Sequence, residues 1–311
     1  MIGKAAESGI LVLLAPAYLG FGGGSEGWYK EMQANGEGRM KAYGNYVARR
    51  LGRNANLLWV MGGDFNPPDK SLLGALVAGI REVLPRALMT FHGARGTSAT
   101  DFLGTGESWF QVSNIYTDSH NVVEKSWAEF GRTQKPFFLI EGRYEWAEGI
   151  DARAVRLQAW QAVLSGACGQ VMGNWAIWQF GNGWERALGS EASATVAVLR
   201  TVLESIPWTR LLPDRRGALL TAGTGAAMAR AVAAATDDGR LALIYMPTSR
   251  EIRIEPRALS GGSIEAHWID PTQARRQLAE PKISGTQLVF DPPGRNAARD
   301  GDWLLLLESA K

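Results

Sequence analysis

Residues 56–67 read NLLWVMGGDFNP, and the fold turns on this stretch. Leu57, Leu58, Trp59, Val60 and Met61 form an apolar run without alternation, the pattern of a parallel strand covered on both faces. Gly62 and Gly63 let the backbone turn sharply, which leaves Asp64 at the carboxyl end of the strand. Residues 136–141, PFFLIE, repeat the design: an apolar run ends on the carboxylate of Glu141 and is followed by Gly142, Arg143, Tyr144 and Glu145. In sheets built from strand-and-helix units, active sites gather at the carboxyl ends of the strands. Two acids delivered there predict acid/base chemistry.

On the amino-terminal side, residues 1–9 read as the last turns of a helix, residues 10–15 (ILVLLA) as a strand, and residues 18–27 as a glycine-rich binding loop that contains Tyr18. Met40, Tyr43, Val47 and Leu51 recur at helical spacing, as do Leu72, Leu73, Leu76, Val77 and Ile80 in a helix capped by Asp69. Residues 87–91 predict a strand ending at His92 and a long loop, and residues 110–115 one that runs into Tyr116, Asp118 and His120. Helices are expected over 121–131 and 151–165. Residues 170–180 (QVMGNWAIWQF) read as a strand that carries Asn174, Trp175, Trp178 and Gln179. A last helix ends at Pro207. Six strands alternating with helices or long loops predict a (β/α) barrel or a doubly wound sheet over residues 1–207. From Trp208 onward, short strand-like segments are separated by turn signals such as DDG, SGG and DPPG. Residues 208–311 therefore predict an antiparallel β-sandwich, an appendage without catalytic groups of its own.

A chain of 311 residues, 46% hydrophobic and with a net charge of +2, is an ordinary globular protein of two domains. Near balance of charge, with no basic run, argues against a nucleic-acid or membrane partner. The opening residues do not read as a signal peptide, and no apolar run reaches membrane-spanning length. The single cysteine, Cys168, excludes an intramolecular disulfide, and no CxxC or HExxH spacing calls for a metal. Twelve tryptophans exceed ordinary core use; stacking on sugar faces is one role for the surplus, although packing is the commoner role for any single one. Asp64 alone reads equally as a turn residue, and Glu141 as the partner of Arg143. Taken together and flanked by Asn66, His92, Tyr116, Asn174 and Trp178, the two acids favour a site. His92 and His120 read as hydrogen-bonded orienting groups rather than metal ligands.

The segments LLAPAYLG, YGNYVARR, NLLWVMGGDFNP, LMTFHGARGTSA, KPFFLIEGRYE, GNWAIWQF and DPPGRNAARDGDWLLLLE resemble the cellulase-like family that includes apiosidase-type glycoside hydrolases. The resemblance covers nearly the whole chain. It implies a TIM-type barrel followed by a β-sandwich named for collagen binding, with Asp64 as acid/base and Glu141 as nucleophile. It also implies a periplasmic or secreted location. The Asn-Glu pair usual on the fourth strand of related barrels is replaced here by Asp64, and a proline often found after the glutamate is replaced by Gly142, which is expected to loosen the turn. The likeness begins at the third barrel strand, so about six strands of an incomplete barrel are expected, and a homo-oligomer is expected to cover the unpaired edges at residues 10–15 and 171–178.

On this reading the protein is a retaining glycoside hydrolase that cleaves plant-type poly- or oligosaccharides without a cofactor. Asp64 starts protonated and Glu141 ionised, with Arg143 helping to hold that charge. Trp175 or Trp178 floors the sugar, and Tyr18, Asn66, His92, Tyr116, His120, Asn174 and Gln179 contact its hydroxyls. The alternative is a carbohydrate-binding or scaffolding protein descended from such an enzyme; retention of both acids favours catalysis.

Overall fold

The computed structural model describes residues 1–118 and 120–309. They form two compact units: Met1–Tyr116 with Arg132–Ile140, and Thr117–Gly131 with the chain from Glu141 onward. No helix among the described residues is long and apolar enough to cross a membrane.

The first unit is built on a parallel sheet of β1 (Val12–Leu14), β2 (Leu57–Gly62) and β3 (Met89–His92), with β2 in the middle. Helices α1 (Ile2–Glu7), α2 (Tyr29–Leu51), α3 (Ser71–Val83) and α4 (Ala99–Leu103) accompany it. Every residue of β2 is buried, and the reason for its unbroken apolar run is visible in the packing. Leu57, Trp59 and Met61 join a large core with Leu76, Ile80, Met89 and Phe91, whereas Leu58 and Val60 point the other way into a cluster with Phe138 and Ile140. Helix α2 begins eleven residues before the expected Met40 and is interrupted at Gly36, whose φ of +72° is non-helical.

Among the described residues, strands β4 (Ser113–Tyr116) and β5 (Phe137–Glu141) form a two-stranded sheet of their own, with a single bridge from Ile115 to Ser98 besides, so β2 and β5 lie in two sheets rather than the expected one. Between β3 and β4 a side chain replaces the ladder: the buried Asn114 amide donates to Phe91 O at 2.7 Å and to Thr90 Oγ1 at 2.8 Å. At the other end of the sheet, β1 is hydrogen-bonded among the described strands to β2 alone, and Leu13 within it and Ile10 and Leu11 before it are exposed.

The second unit contains α5 (Val122–Arg132), the short pair β6 (Tyr144–Glu145) and β7 (Gly173–Asn174), α6 (Ala152–Leu164), α7 (Trp175–Gln179), α8 (Trp184–Ala187) and α9 (Glu191–Glu204). The expected strand over 170–180 shrinks to the two residues of β7. Asn174 stops it, because its Oδ1 accepts from Ala176 N at 3.0 Å and Ile177 N at 3.4 Å, which caps α7 and turns WAIWQ helical. The unpaired strand edge expected at 171–178 is therefore reduced to the two residues of β7.

The remaining strands are antiparallel: β8 (Leu211–Pro213), β9 (Leu220–Ala222), β10 (Val232–Thr236), β11 (Leu241–Met246), β12 (Ile252–Ile254), β13 (Ile264–Ile269), β14 (Arg276–Leu278), β15 (Lys282–Ser284), β16 (Gln287–Phe290) and β17 (Trp303–Ser309). They form a six-stranded sheet in the order β14-β13-β17-β11-β10-β8 and a four-stranded sheet in the order β15-β16-β12-β9. Ile244, Met246, Ile252, Ile254, Trp268, Phe290 and Leu305 share one core. The opposite face of β11 is covered too, since the Tyr245 ring stacks on Trp160 of α6 with centroids 6.1 Å apart. That second cover explains why LALIYM reads as a run rather than an alternation.

On the same side, the buried Arg156 of α6 donates through Nε and Nη2 to both carboxylate oxygens of Asp302, at 2.8 and 2.9 Å, and through Nη2 to Asp300 at 2.7 Å. Burial opposes the guanidinium charge, but the Asp302 bonds and charge more than offset it, so Arg156 holds its proton more tightly than an ordinary arginine. Asp302 also accepts from the Tyr245 hydroxyl and the Asn296 amide, each at 2.8 Å. Burial in turn lifts the Tyr245 phenol well above its ordinary range, and the Asp302 charge pushes the same way.

Candidate active site

Asp64 is aimed by the two glycines before it. Gly62 has φ +88° and Gly63 φ +125°, and the Gly63 N–H donates to His92 O at 2.7 Å, which ties the turn to the end of β3. A Cβ on Gly62 would lie 2.4 Å from that same carbonyl oxygen, and one on Gly63 would lie 2.2 Å from Cδ2 of Tyr18. Only glycine permits both approaches. The Tyr18 ring thus rests against Gly63, and its hydroxyl donates to Asp64 Oδ2 at 2.7 Å. Asp64 itself takes the left-handed φ of +52°, uncommon for a side chain with a Cβ, and its carbonyl accepts from Gly22 N at 3.2 Å. Among the described residues its buried Oδ1 has no hydrogen-bond partner.

His92 and Tyr116 lie together at the ends of β3 and β4, with ring centroids 5.1 Å apart. Asn66 is half-buried, and its Oδ1 accepts from Ala94 N at 2.9 Å, bracing the loop that leaves His92.

Glu141, the last residue of β5, belongs to the second unit. The Tyr144 hydroxyl donates to its Oε1 at 2.8 Å. Tyr144 sits on β6 opposite Gly173, where a Cβ would be 2.1 Å from the tyrosine ring. An edge-on contact with Trp178 follows at 6.2 Å, and Trp178 stacks on Trp175 at 5.2 Å. Both tryptophans are open to solvent, at 60% and 45% exposure, which a packing role would not leave. Gln179 is exposed beside them.

Three expected contributors are placed otherwise. Arg143 directs its guanidinium to Glu148 Oε2 at 3.3 Å rather than to Glu141. Asn174 is buried, with Nδ2 donating to Glu145 Oε2 at 2.8 Å while Oδ1 caps α7, so both ends of its amide are engaged within the fold. His120 is exposed, and its backbone N–H and Nδ1 both face Asp118 Oδ1, at 3.0 and 3.7 Å.

The turn after Glu141 is held rather than loose. Gln158 of α6 accepts from Arg143 N through Oε1 and donates to Arg143 O through Nε2, both at 3.0 Å. A Cβ on Gly142 would stand 2.7 Å from that Oε1, so a bare Cα is what lets the amide lie flat against the turn. Gln158 and Tyr144 were not among the expected site residues; a glutamine inside the otherwise apolar face Val155, Ala159 and Ala162 is the signal for the first.

Solved structures that share this fold include glycoside hydrolases. A family 5 glycoside hydrolase from Bacteroides vulgatus ATCC 8482 superposes with a TM-score of 0.85 at 20% identity, over 99% of this chain and 73% of its own. A second solved glycoside hydrolase gives 0.83 at 20% identity, over 99% and 75%. An Anoxybacillus α-amylase is more distant, at 0.55 and 6% identity, over 100% and 78%. Residues 1–210 match the apiosidase-like catalytic domain, and the chain belongs to that family. Residues 212–308 match a family named as the collagen-binding domain of a collagenase. No curated protein matches the sequence.

Proposed function

We propose that Asp64 is the acid/base and Glu141 the nucleophile of a retaining glycosidase acting on plant-type poly- or oligosaccharides. One observation carries the assignment: Glu141 ends β5, Asp64 lies two residues past the end of β2, and each accepts a tyrosine hydroxyl, Tyr18 to Asp64 at 2.7 Å and Tyr144 to Glu141 at 2.8 Å, while among the described residues Asp64 Oδ1 has no hydrogen-bond partner. The Tyr144 hydroxyl fixes the orientation of the Glu141 carboxylate, and the Tyr18 hydroxyl fixes that of Asp64. Asp64 Oδ1 is the oxygen suited to give a proton to the glycosidic oxygen.

In the first step Glu141 attacks the anomeric carbon, the glycosidic C–O bond breaks, and the leaving oxygen takes the Asp64 proton. In the second, Asp64 takes a proton from water, the resulting hydroxide attacks the same carbon, and the sugar leaves Glu141 with its configuration retained. Trp175 and Trp178 offer exposed ring faces to the sugar, and His92, Tyr116, Asn66 and Gln179 are the candidate hydroxyl contacts. Residues 1–207 serve as a (β/α) catalytic domain and residues 208–311 as a β-sandwich. Among the described residues β1 pairs on one side only, and the exposed Ile10 and Leu11 before it and Leu13 within it support the association of a second copy there. A monomer in light scattering at low micromolar concentration refutes that association.

A panel of aryl glycosides and plant polysaccharides, assayed with Asp64→Asn and Glu141→Gln, tests the chemistry. Each variant is expected to lose about 10²–10⁴-fold in turnover or more while remaining folded. Proton NMR of the first-formed anomer decides the stereochemistry, and an inverted product refutes Glu141 as nucleophile.

A further inference from the structure

We infer that the C-terminal antiparallel sheets help to position Glu141, acting through α6, with Gln158 as the positioning residue at the site end. The inference rests on the proposed role of Glu141 and extends it to a region named for a different task.

Helix geometry separates the two duties of α6. At 100° per residue, Arg153, Arg156 and Trp160 fall within about 40° of the direction opposite Gln158. On that far face, Arg156 holds Asp302 and Asp300, Arg153 Nη2 donates to Pro247 O at 2.7 Å, and Trp160 stacks on Tyr245. Gln161, on the flank, donates to Arg230 O at 2.8 Å. All four are side chains of a barrel-side helix bonded or stacked against residues 230–302. On the near face Gln158, fully buried, uses its donor and its acceptor on the backbone of the single residue Arg143.

The turn so held carries both Glu141 and Tyr144, the donor to Glu141. A nucleophile must keep its place to about 0.5 Å, and groups locked by packing and hydrogen bonds are what keep it there. A helix is stiff along its length and a bidentate arginine–carboxylate pair is geometrically strict, so the far face fixes where the near face can be. Gln158 touches neither substrate nor the reacting atoms on this account; it acts through the 141–144 turn.

Hydrogen exchange of the backbone, read on a peptide covering residues 141–146, gives a test that needs no substrate. Gln158→Leu, which removes both bonds, is expected to speed exchange at Arg143 about tenfold or more. Asp302→Asn is expected to speed the same site, although it lies on the opposite face of α6; Asp300→Asn, which removes one of the three Arg156 bonds, serves if Asp302→Asn does not fold. Unchanged exchange at Arg143 in the Asp302 or Asp300 variant overturns the coupling. With the aryl glycoside that the wild type cleaves best, Gln158→Leu is expected to lower kcat about 10–100-fold with KM within threefold. Gln158→Glu, which keeps the acceptor for Arg143 N, is expected to recover part of the loss. An equal loss in both, or a change in KM alone, refutes the positioning role. Full activity in Glu141→Gln refutes the functional reading instead, and leaves the exchange result standing by itself.

Discussion

Gly63→Ala is the sharpest single perturbation of the Asp64 half of the site. The added Cβ would stand 2.2 Å from Tyr18 Cδ2 and 2.7 Å from Cε2. Carbon atoms in contact keep about 3.5–4.0 Å, so the ring must retreat by more than about 1 Å. The 2.7 Å bond from its hydroxyl to Asp64 then lies outside hydrogen-bonding range. A hydrogen bond to a charged group contributes about 1.5–3 kcal/mol, which, if felt fully in the transition state, is a loss of about 10–150-fold in kcat/KM. An alanine at φ +125° adds about 1–3 kcal/mol of backbone strain and lowers the melting temperature as well. Tyr18→Phe separates the two effects: it is expected to reproduce the kinetic loss without the strain. The assays are steady-state kinetics and thermal melting of both variants beside the wild type. Activity of Gly63→Ala within threefold of wild type refutes the argument, because the tyrosine contact would then do nothing for Asp64.

Asp302→Asn leaves the buried Arg156 with Asp300 as its one remaining carboxylate and is expected to cost about 3–5 kcal/mol in denaturant unfolding, whereas the double change Arg156→Met with Asp302→Leu recovers most of it. A loss below about 1 kcal/mol would show that the pair is not desolvated in solution. Asn174→Ala removes a helix cap and a partner of the buried Glu145, so stability should fall by about 1–3 kcal/mol with KM unchanged; a raised KM at unchanged melting temperature would restore Asn174 as a sugar contact. Asp238 is held down to about 2, first by the Thr236 hydroxyl and then by Arg240 N–H, with Arg210 adding its charge. Its folded value lies below the ordinary 3.8, so its stabilising share is complete above that pH and disappears as the pH falls through 2. Carboxyl NMR titration should show Thr236→Val raising the midpoint more than Arg210→Ala, and the reverse order would mean that charge outweighs the hydroxyl.

The strands that carry the two acids were legible because burial on both faces writes itself as an unbroken apolar run: Leu57 to Met61 and Phe137 to Ile140 could hardly be read as anything else. Asp64 was legible for a related reason, since paired glycines after such a run announce a turn. Residues 170–180 were misread because WAIWQ has the same apolar density in either conformation, and one cap, Asn174 Oδ1 onto Ala176 N, decided for helix. The break between β3 and β4 was invisible because an asparagine amide, Asn114, stands in for backbone pairing. Arg143 was assigned to the nearest acid in the chain, while geometry gave it Glu148. Sequence neighbours compete poorly with a turn that faces the side chain elsewhere.

The far face of α6 bears on how such a chain can be inherited. Arg153 and Arg156 lie within residues 1–210, while Pro247, Asp300 and Asp302 lie within 212–308. A crossover at residue 211 between this chain and a relative lacking both Asp300 and Asp302 would bury Arg156 without either of its carboxylate partners. Recombinants survive only where both halves travel together or change in step. The two segments that family matching divides are thus, for α6 and its partners, a single heritable block, and chimeras assembled at that junction will fold in proportion to how well the donor supplies Asp300 and Asp302.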